Sequence, residues 1–147
     1  MAMNKNISLG KIFPPTFRLM AMPLVAVLLI SLLMSSSSHK TTIFIIGDST
    51  AAEKGNYRNY PERGWGMVFQ GCFDDQIIVD NHAVNGRSSK SFLDEGRWQK
   101  VLDKMQPGDY VIIQFGHNDE KHFPNRYTEP GGTFDAHLAK YVNETRQ

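Results

Sequence analysis

From Thr41 on, apolar positions along the chain gather into three short continuous runs. Thr42-Ile43-Phe44-Ile45-Ile46 is almost wholly β-branched or aromatic and stops at Gly47. Ile77-Ile78-Val79 runs on toward Asn81, and Tyr110-Val111-Ile112-Ile113-Gln114-Phe115 stops at Gly116. Runs of this kind read as strands buried on both faces, the habit of a parallel sheet. Between them the period changes. Trp65 to Phe73 is weakly helical. From Ser88 to about Lys104, the spacing of Phe92, Leu93, Trp98, Val101 and Leu102 predicts a helix that Gly96 interrupts. Pro107-Gly108-Asp109 is turn chemistry, and residues 125–132 read as loop. Thr133 is placed to cap a last helix, in which Phe134, Leu138, Tyr141 and Val142 recur at i, i+4, i+7 and i+8 and which runs to Gln147.

Strands alternating with helices predict an α/β fold with a doubly wound parallel sheet. Three strands are few against a mean of about five or six. The expectation is therefore a C-terminally truncated domain, with residues 41–147 as its N-terminal part. The first forty residues follow another grammar. Lys5, Lys11 and Arg18 precede an apolar run from Met20 to Met34, and Ser35-Ser36-Ser37-Ser38 follows. That order describes a secretory signal peptide over residues 1–38 and implies a secreted or periplasmic protein. The run is shorter than the roughly 20 apolar residues of a membrane span. An uncleaved signal anchor is the alternative, and only then would a membrane be a partner.

Charge removes one class of function. The formal net charge is +1, with no block of like charges. Nucleic acid, which needs a basic footprint, is not an expected partner. The single cysteine, Cys72, has no partner for an internal disulfide and reads as a small apolar side chain.

In open α/β sheets, ligands bind beyond the carboxyl ends of the strands. A polar, glycine-containing motif follows each predicted strand: Gly47-Asp48-Ser49-Thr50, then Asn81-His82-Ala83-Val84-Asn85-Gly86-Arg87-Ser88, then Gly116-His117-Asn118-Asp119. If the strands are parallel, all three crowd onto one rim. Taken singly, each has a plain alternative: a capped turn at Ser49, a loop glycine at Gly86, an Asx turn at Asn118. Taken together they suit acyl transfer. A serine at a strand-to-helix turn is exposed, and the helix N-terminus can steady negative charge. Ser49 N–H, Gly86 N–H and the Asn118 amide are donors of the kind an oxyanion requires, each worth about 2.7–4 kcal/mol in the transition state.

Those motifs, with Gly64-Trp65-Gly66, resemble the first blocks of the SGNH (GDSL-like) hydrolase superfamily. Within it, Asn85-Gly86-Arg87-Ser88-Ser89-Lys90-Ser91-Phe92, Glu95-Gly96-Arg97 and Gly108-Asp109-Tyr110-Val111-Ile112 resemble rhamnogalacturonan acetylesterases. The resemblance covers about Thr41 to Gln147. It implies a flavodoxin-like three-layer α/β/α sandwich without metal or organic cofactor. It also implies Ser49 as nucleophile, Gly86 and Asn118 as oxyanion donors, and an O-acetylated polysaccharide such as pectin as substrate. Arg87 and Lys90 are candidates for contact with an acidic polysaccharide, and Trp65 and Trp98 for sugar stacking; a solvated loop and core packing explain them equally well.

The same resemblance calls for a histidine base in an Asp-x-x-His block, and no such block is expected within this chain. Asp119-Glu120-Lys121-His122 has the spacing, but Asp119 already belongs to the Asn118 motif. His39 sits at the signal boundary, His82 at a loop or strand edge, and His117 along the site. His137 is expected mid-helix, facing solvent. A chain without the base is expected to be a poor catalyst by itself. A non-catalytic carbohydrate-binding role is the alternative from another class. A flavodoxin-like phosphate binder is disfavoured, because neither a Gly-rich phosphate loop nor a Walker-type lysine appears.

Overall fold

The computed structural model describes residues 39–55 and 61–147. The signal-peptide reading falls outside them. The three apolar runs form strands β1 (Thr41–Gly47), β2 (Ile77–Asn81) and β3 (Tyr110–Gln114), joined in one sheet of order β2-β1-β3. Both pairings are parallel, with Ile45 opposite Asn81 on one side and Ile112 on the other. The expected alternation of strand and helix and the parallel sheet are both present.

The two faces of β1 pack differently, as a period of two requires. Phe44 and Ile46 face a core with Phe92, Trp98, Val101 and Tyr141, all buried. These come from helices α1 (Ser89–Asp94), α2 (Arg97–Leu102) and α3 (Thr133–Thr145). Ile45 faces the other way, onto Ala51, Ala52, Ala83, Trp65 and Phe69. That layer consists of the loop after β1 and two short 3₁₀ turns, Trp65–Met67 and Phe69–Cys72, where the sequence predicts one weak helix. Each large apolar side chain so buried contributes about 1.5–3 kcal/mol.

Local chemistry explains the helix ends. Ser88 and Ser91 form a reciprocal capping box at the start of α1. Gly96, at φ 65°, separates α1 from α2 at the predicted interruption. Thr133 is not the cap of α3. It lies within the first turn after Gly132, and its hydroxyl accepts from the Glu129 N–H at 2.8 Å, closing the preceding loop instead. Trp98 is core, edge-on to Tyr141, with its indole N–H donating to Glu144 Oε2 at 2.7 Å. It is not available to a sugar. Cys72 is exposed rather than packed.

Tyr141 ties α3 to the start of α1. Its hydroxyl donates to the Ser89 carbonyl at 2.7 Å inside the core. Burial, then the nearby carboxylates, push its titration far above the ordinary tyrosine value, so it remains a donor. Tyr141→Phe keeps the ring and removes this buried hydrogen bond. It is expected to cost about 0.5–1.5 kcal/mol, read as a lower urea midpoint at unchanged slope.

Candidate active site

Because the strands are parallel, the three polar motifs emerge at one end of the sheet. Hydrogen bonds then stitch them together. After β1 the chain makes a single turn, in which Ala52 N–H donates to the Asp48 carbonyl at 3.0 Å. Among the described residues no helix follows it directly, so the turn itself and not the expected helix N-terminus stands behind Ser49. The turn is held by its own side chains and its neighbours. Asp48 Oδ1 accepts from Thr50 N–H and Thr50 Oγ1, both at 2.9 Å. Thr50 Oγ1 also lies within hydrogen-bond distance, 2.6 Å, of the Gln114 side-chain amide at the end of β3. The Gly64-Trp65-Gly66 block backs the turn: Trp65 N–H donates to the Thr50 carbonyl at 2.9 Å. A Cβ on Gly64 would lie 2.1 Å from the Ala52 carbonyl oxygen, so no other residue fits there.

Ser49 is half-buried at this turn. Among the described residues neither its hydroxyl nor its N–H has a hydrogen-bond partner. The same is true of the Gly86 N–H. Gly86 sits in a turn at φ 74°, a conformation that favours glycine. Asn118 is buried, and its amide is oriented from both ends. Lys121 Nζ donates to its Oδ1 at 3.1 Å, and its Nδ2 donates to the Arg87 carbonyl, next to Gly86, at 3.1 Å. An amide has two N–H bonds, so one remains unspent. The rim therefore carries three unspent donors beside a free serine hydroxyl.

Two residues to which the sequence assigned no bridging role, Lys54 and Asp119, hold this arrangement. Lys54 is only 9% exposed, and its Nζ donates to the Ser49 carbonyl at 2.7 Å and to Asn85 Oδ1 at 2.8 Å. It bridges the first motif to the second. Asp119 does the same for the second and third. Its buried carboxylate accepts from Ser89 N–H at 2.9 Å, Ser89 Oγ at 2.5 Å, Thr128 Oγ1 at 3.0 Å and Gly116 N–H at 3.1 Å. No pattern announces Lys54, which is one lysine in a polar loop. The short polar residues of the α1 entry are the sole hint for Asp119.

The histidines are committed elsewhere. His137 does not face solvent: it is half-buried on α3, with Nδ1 3.2 Å from Ser89 Oγ. His82 Nε2 lies 3.0 Å from Asp80 Oδ2, which Lys104 Nζ also approaches, at 2.8 Å. Burial would raise the Asp80 carboxyl, but hydrogen bonds from Lys104 and His82 outweigh it and hold it below its usual value. His117 is exposed beside Glu120, and His122 lies against the Tyr127 ring. With Asp119 occupied as described, the Asp119–His122 spacing is not a base pair. Among the described residues no histidine bonds to Ser49.

Arg87 and Lys90 are also engaged. Arg87 pairs with Glu95 at 3.1 Å and donates to the Asn85 carbonyl at 2.9 Å, while Lys90 donates to the Pro124 carbonyl at 2.6 Å. A cleft of about 490 Å³ lies at the opposite end of the strands from the three rim motifs, between Pro107-Gly108-Asp109 and the end of α3.

Comparison with known proteins agrees with the fold. The GDSL-like Lipase/Acylhydrolase family matches over residues 45–147. The chain is 42% identical over 106 residues to the probable rhamnogalacturonan acetylesterase YesY of Bacillus subtilis, covering 71% of this chain and 48% of that protein. Rhamnogalacturonan acetylesterase RhgT of the same organism is 40% identical over 71% of this chain and 44% of its own length. The Emericella nidulans rhamnogalacturonan acetylesterase is 39% identical over 64% of this chain and 35% of its own. Among solved structures, the Bacillus subtilis protein YxiM superposes with a TM-score of 0.64 at 25% identity, covering 74% of this chain and 30% of that one. The chain thus spans about half the length, or less, of the curated relatives it matches. By sequence, by its parallel sheet and by the order of its motifs, it belongs to the GDSL-like lipase/acylhydrolase family.

Proposed function

We propose that this chain carries the nucleophile and oxyanion half of a serine esterase that removes O-acetyl groups from carbohydrate, with rhamnogalacturonan-type pectin as substrate. One observation carries the reading: Ser49, Gly86 and Asn118, from three separate motifs, lie in one hydrogen-bonded assembly. Ser49 Oγ attacks the acetyl carbonyl carbon. The oxygen that becomes negative is held by the N–H groups of Ser49 and Gly86 and the free Asn118 N–H. The sugar hydroxyl leaves with a proton, and water then releases acetate and regenerates the serine. A base must take the Ser49 proton, and none of the described histidines reaches it. The names of the curated relatives support the acetyl and rhamnogalacturonan assignments. The signal-like pattern of residues 1–38 supports an exported protein, as an extracellular polymer requires.

The test is acetate release from O-acetylated rhamnogalacturonan oligosaccharides, with imidazole added as external proton acceptor and Ser49→Ala as blank. Release above that blank, rising with imidazole, is expected. Equal release by both proteins at every imidazole concentration, with oligosaccharide still bound, would favour the non-catalytic carbohydrate-binding role.

A further inference from the structure

A cation stands directly over the oxyanion loop, and the machinery above does not use it. The Arg126 guanidinium lies against Gly86: a Cβ built on that glycine would be 3.5 Å from one terminal nitrogen and 3.7 Å from the guanidinium carbon. It arrives from the loop after the third motif, held by an Arg126 N–H to Phe123 carbonyl bond at 2.9 Å. The guanidinium carbon sits 5.7 Å from the centre of the Phe123 ring. Among the described residues, no carboxylate or carbonyl accepts from its N–H groups. The neighbouring charges are spent. Glu95 is shared by Arg87 and Arg97, Glu120 lies beside His117, Lys90 is bonded to Pro124, and Lys121 to Asn118. Among the charged side chains named here, Arg126 is the one that offers an open fork at this rim.

A guanidinium is planar, permanently charged and matched to carboxylate geometry, and stacking on an aromatic ring fixes its plane without consuming its donors. We propose that Arg126 is a substrate subsite, binding the carboxylate of an acidic sugar so that an acetyl group on the same or the adjacent ring meets Ser49. This rests on the esterase reading for its purpose, but not for its binding chemistry. It also relocates the acidic-polysaccharide contact that sequence reasoning gave to Arg87 and Lys90. Arg126 is then a specificity residue: it rewards uronate-containing chains over neutral acetylated ones, while Ser49, Gly86 and Asn118 act on either.

Binding of a galacturonate-containing oligosaccharide, measured by calorimetry on the 147-residue chain, separates the two ideas because it needs no turnover. The probes are the acid form and its methyl ester, which keeps the shape and removes the charge. Wild type is expected to prefer the acid form by about tenfold or more, with the preference shrinking as salt rises. Arg126→Met, which keeps the apolar stem over Phe123, is expected to abolish the preference. Arg126→Lys is expected to keep part of it, and Ser49→Ala all of it. Equal affinity of wild type for both forms, or an undiminished preference in Arg126→Met, would overturn the proposal whatever the outcome with Ser49. A surviving preference beside absent acetate release would leave the subsite standing and remove the esterase reading.

Discussion

Asp119→Ala is expected to cost about 3–5 kcal/mol of folding stability, a large part of the roughly 5–15 kcal/mol available to a domain. The carboxylate is 3% exposed and satisfies donors from three segments: the entry of α1, the loop after β3, and Thr128. Its removal leaves the Ser89 and Gly116 N–H groups and the Thr128 hydroxyl without this acceptor, and the Ser89 hydroxyl with His137 Nδ1 as its remaining neighbour. Each such orphan costs about 1–3 kcal/mol where water cannot enter. Asp119→Asn keeps one acceptor oxygen and is expected to recover about half the loss. Urea unfolding of the two variants beside wild type measures this. A shift below about 1 kcal/mol in Asp119→Ala would mean that the cluster is solvated and contributes little. Because Asn118 precedes Asp119, any loosening should reach the oxyanion donor as well. Ser49-dependent acetate release in Asp119→Asn is expected to fall further than its stability alone accounts for.

The second large effect is kinetic. Lys54→Met removes the bridge between the Ser49 carbonyl and Asn85. A buried ammonium costs desolvation energy that its two hydrogen bonds only partly return, so the net change in stability is small beside that of Asp119→Ala. Geometry suffers more. Gly86 follows Asn85 directly, and nucleophile and oxyanion donor must keep their spacing to within a fraction of an ångström. Misplacement by about 1 Å costs on the order of 10²-fold in rate. Lys54 touches no substrate in this arrangement, so the loss is expected in kcat with KM nearly unchanged. Lys54→Arg, longer but still a donor to both groups, is expected to restore part of it. A Lys54→Met protein that releases acetate at the wild-type rate would show that the two loops hold their spacing unaided.

The strands were legible in the sequence because a central parallel strand needs an unbroken apolar run, and from Thr41 on three segments have one. Burial on both faces holds for β1 alone among them, since Ile78 of β2 and Tyr110 of β3 are exposed at the sheet edges. Gly47 and Gly116 mark the ends of the first and third runs to within a residue of the strands observed. Parallel pairing then brings the three motifs to one rim without further information. What pattern could not supply is the wiring between them. Lys54 reaches the Asn85 side chain across 31 positions, and Asp119 reaches Ser89 across 30. A single side chain bridging two loops leaves no periodicity behind. His137 shows the same blindness in reverse. Its place on α3 was read as outward because one turn of helix says nothing about what stands opposite, and Ser89 stands there. Thr133 failed for a related reason, since its hydroxyl has two possible clients and serves Glu129 behind it.

The position of β1 in the sheet has a consequence for motion. β1 is hydrogen-bonded on both sides, and Ser49 leaves its end within two residues. Opening that strand means parting two ladders at once, which approaches the free energy of unfolding the whole domain, whereas the loop over 120–127 is held by no ladder and opens at far lower cost. On the esterase reading proposed above, Ser49 is therefore the stationary jaw of the site. Adaptation to sugars of different shape falls to the opposite jaw, where Arg126 rides on that loop, so substrate range can drift through changes there while the Ser49 jaw stays as it is.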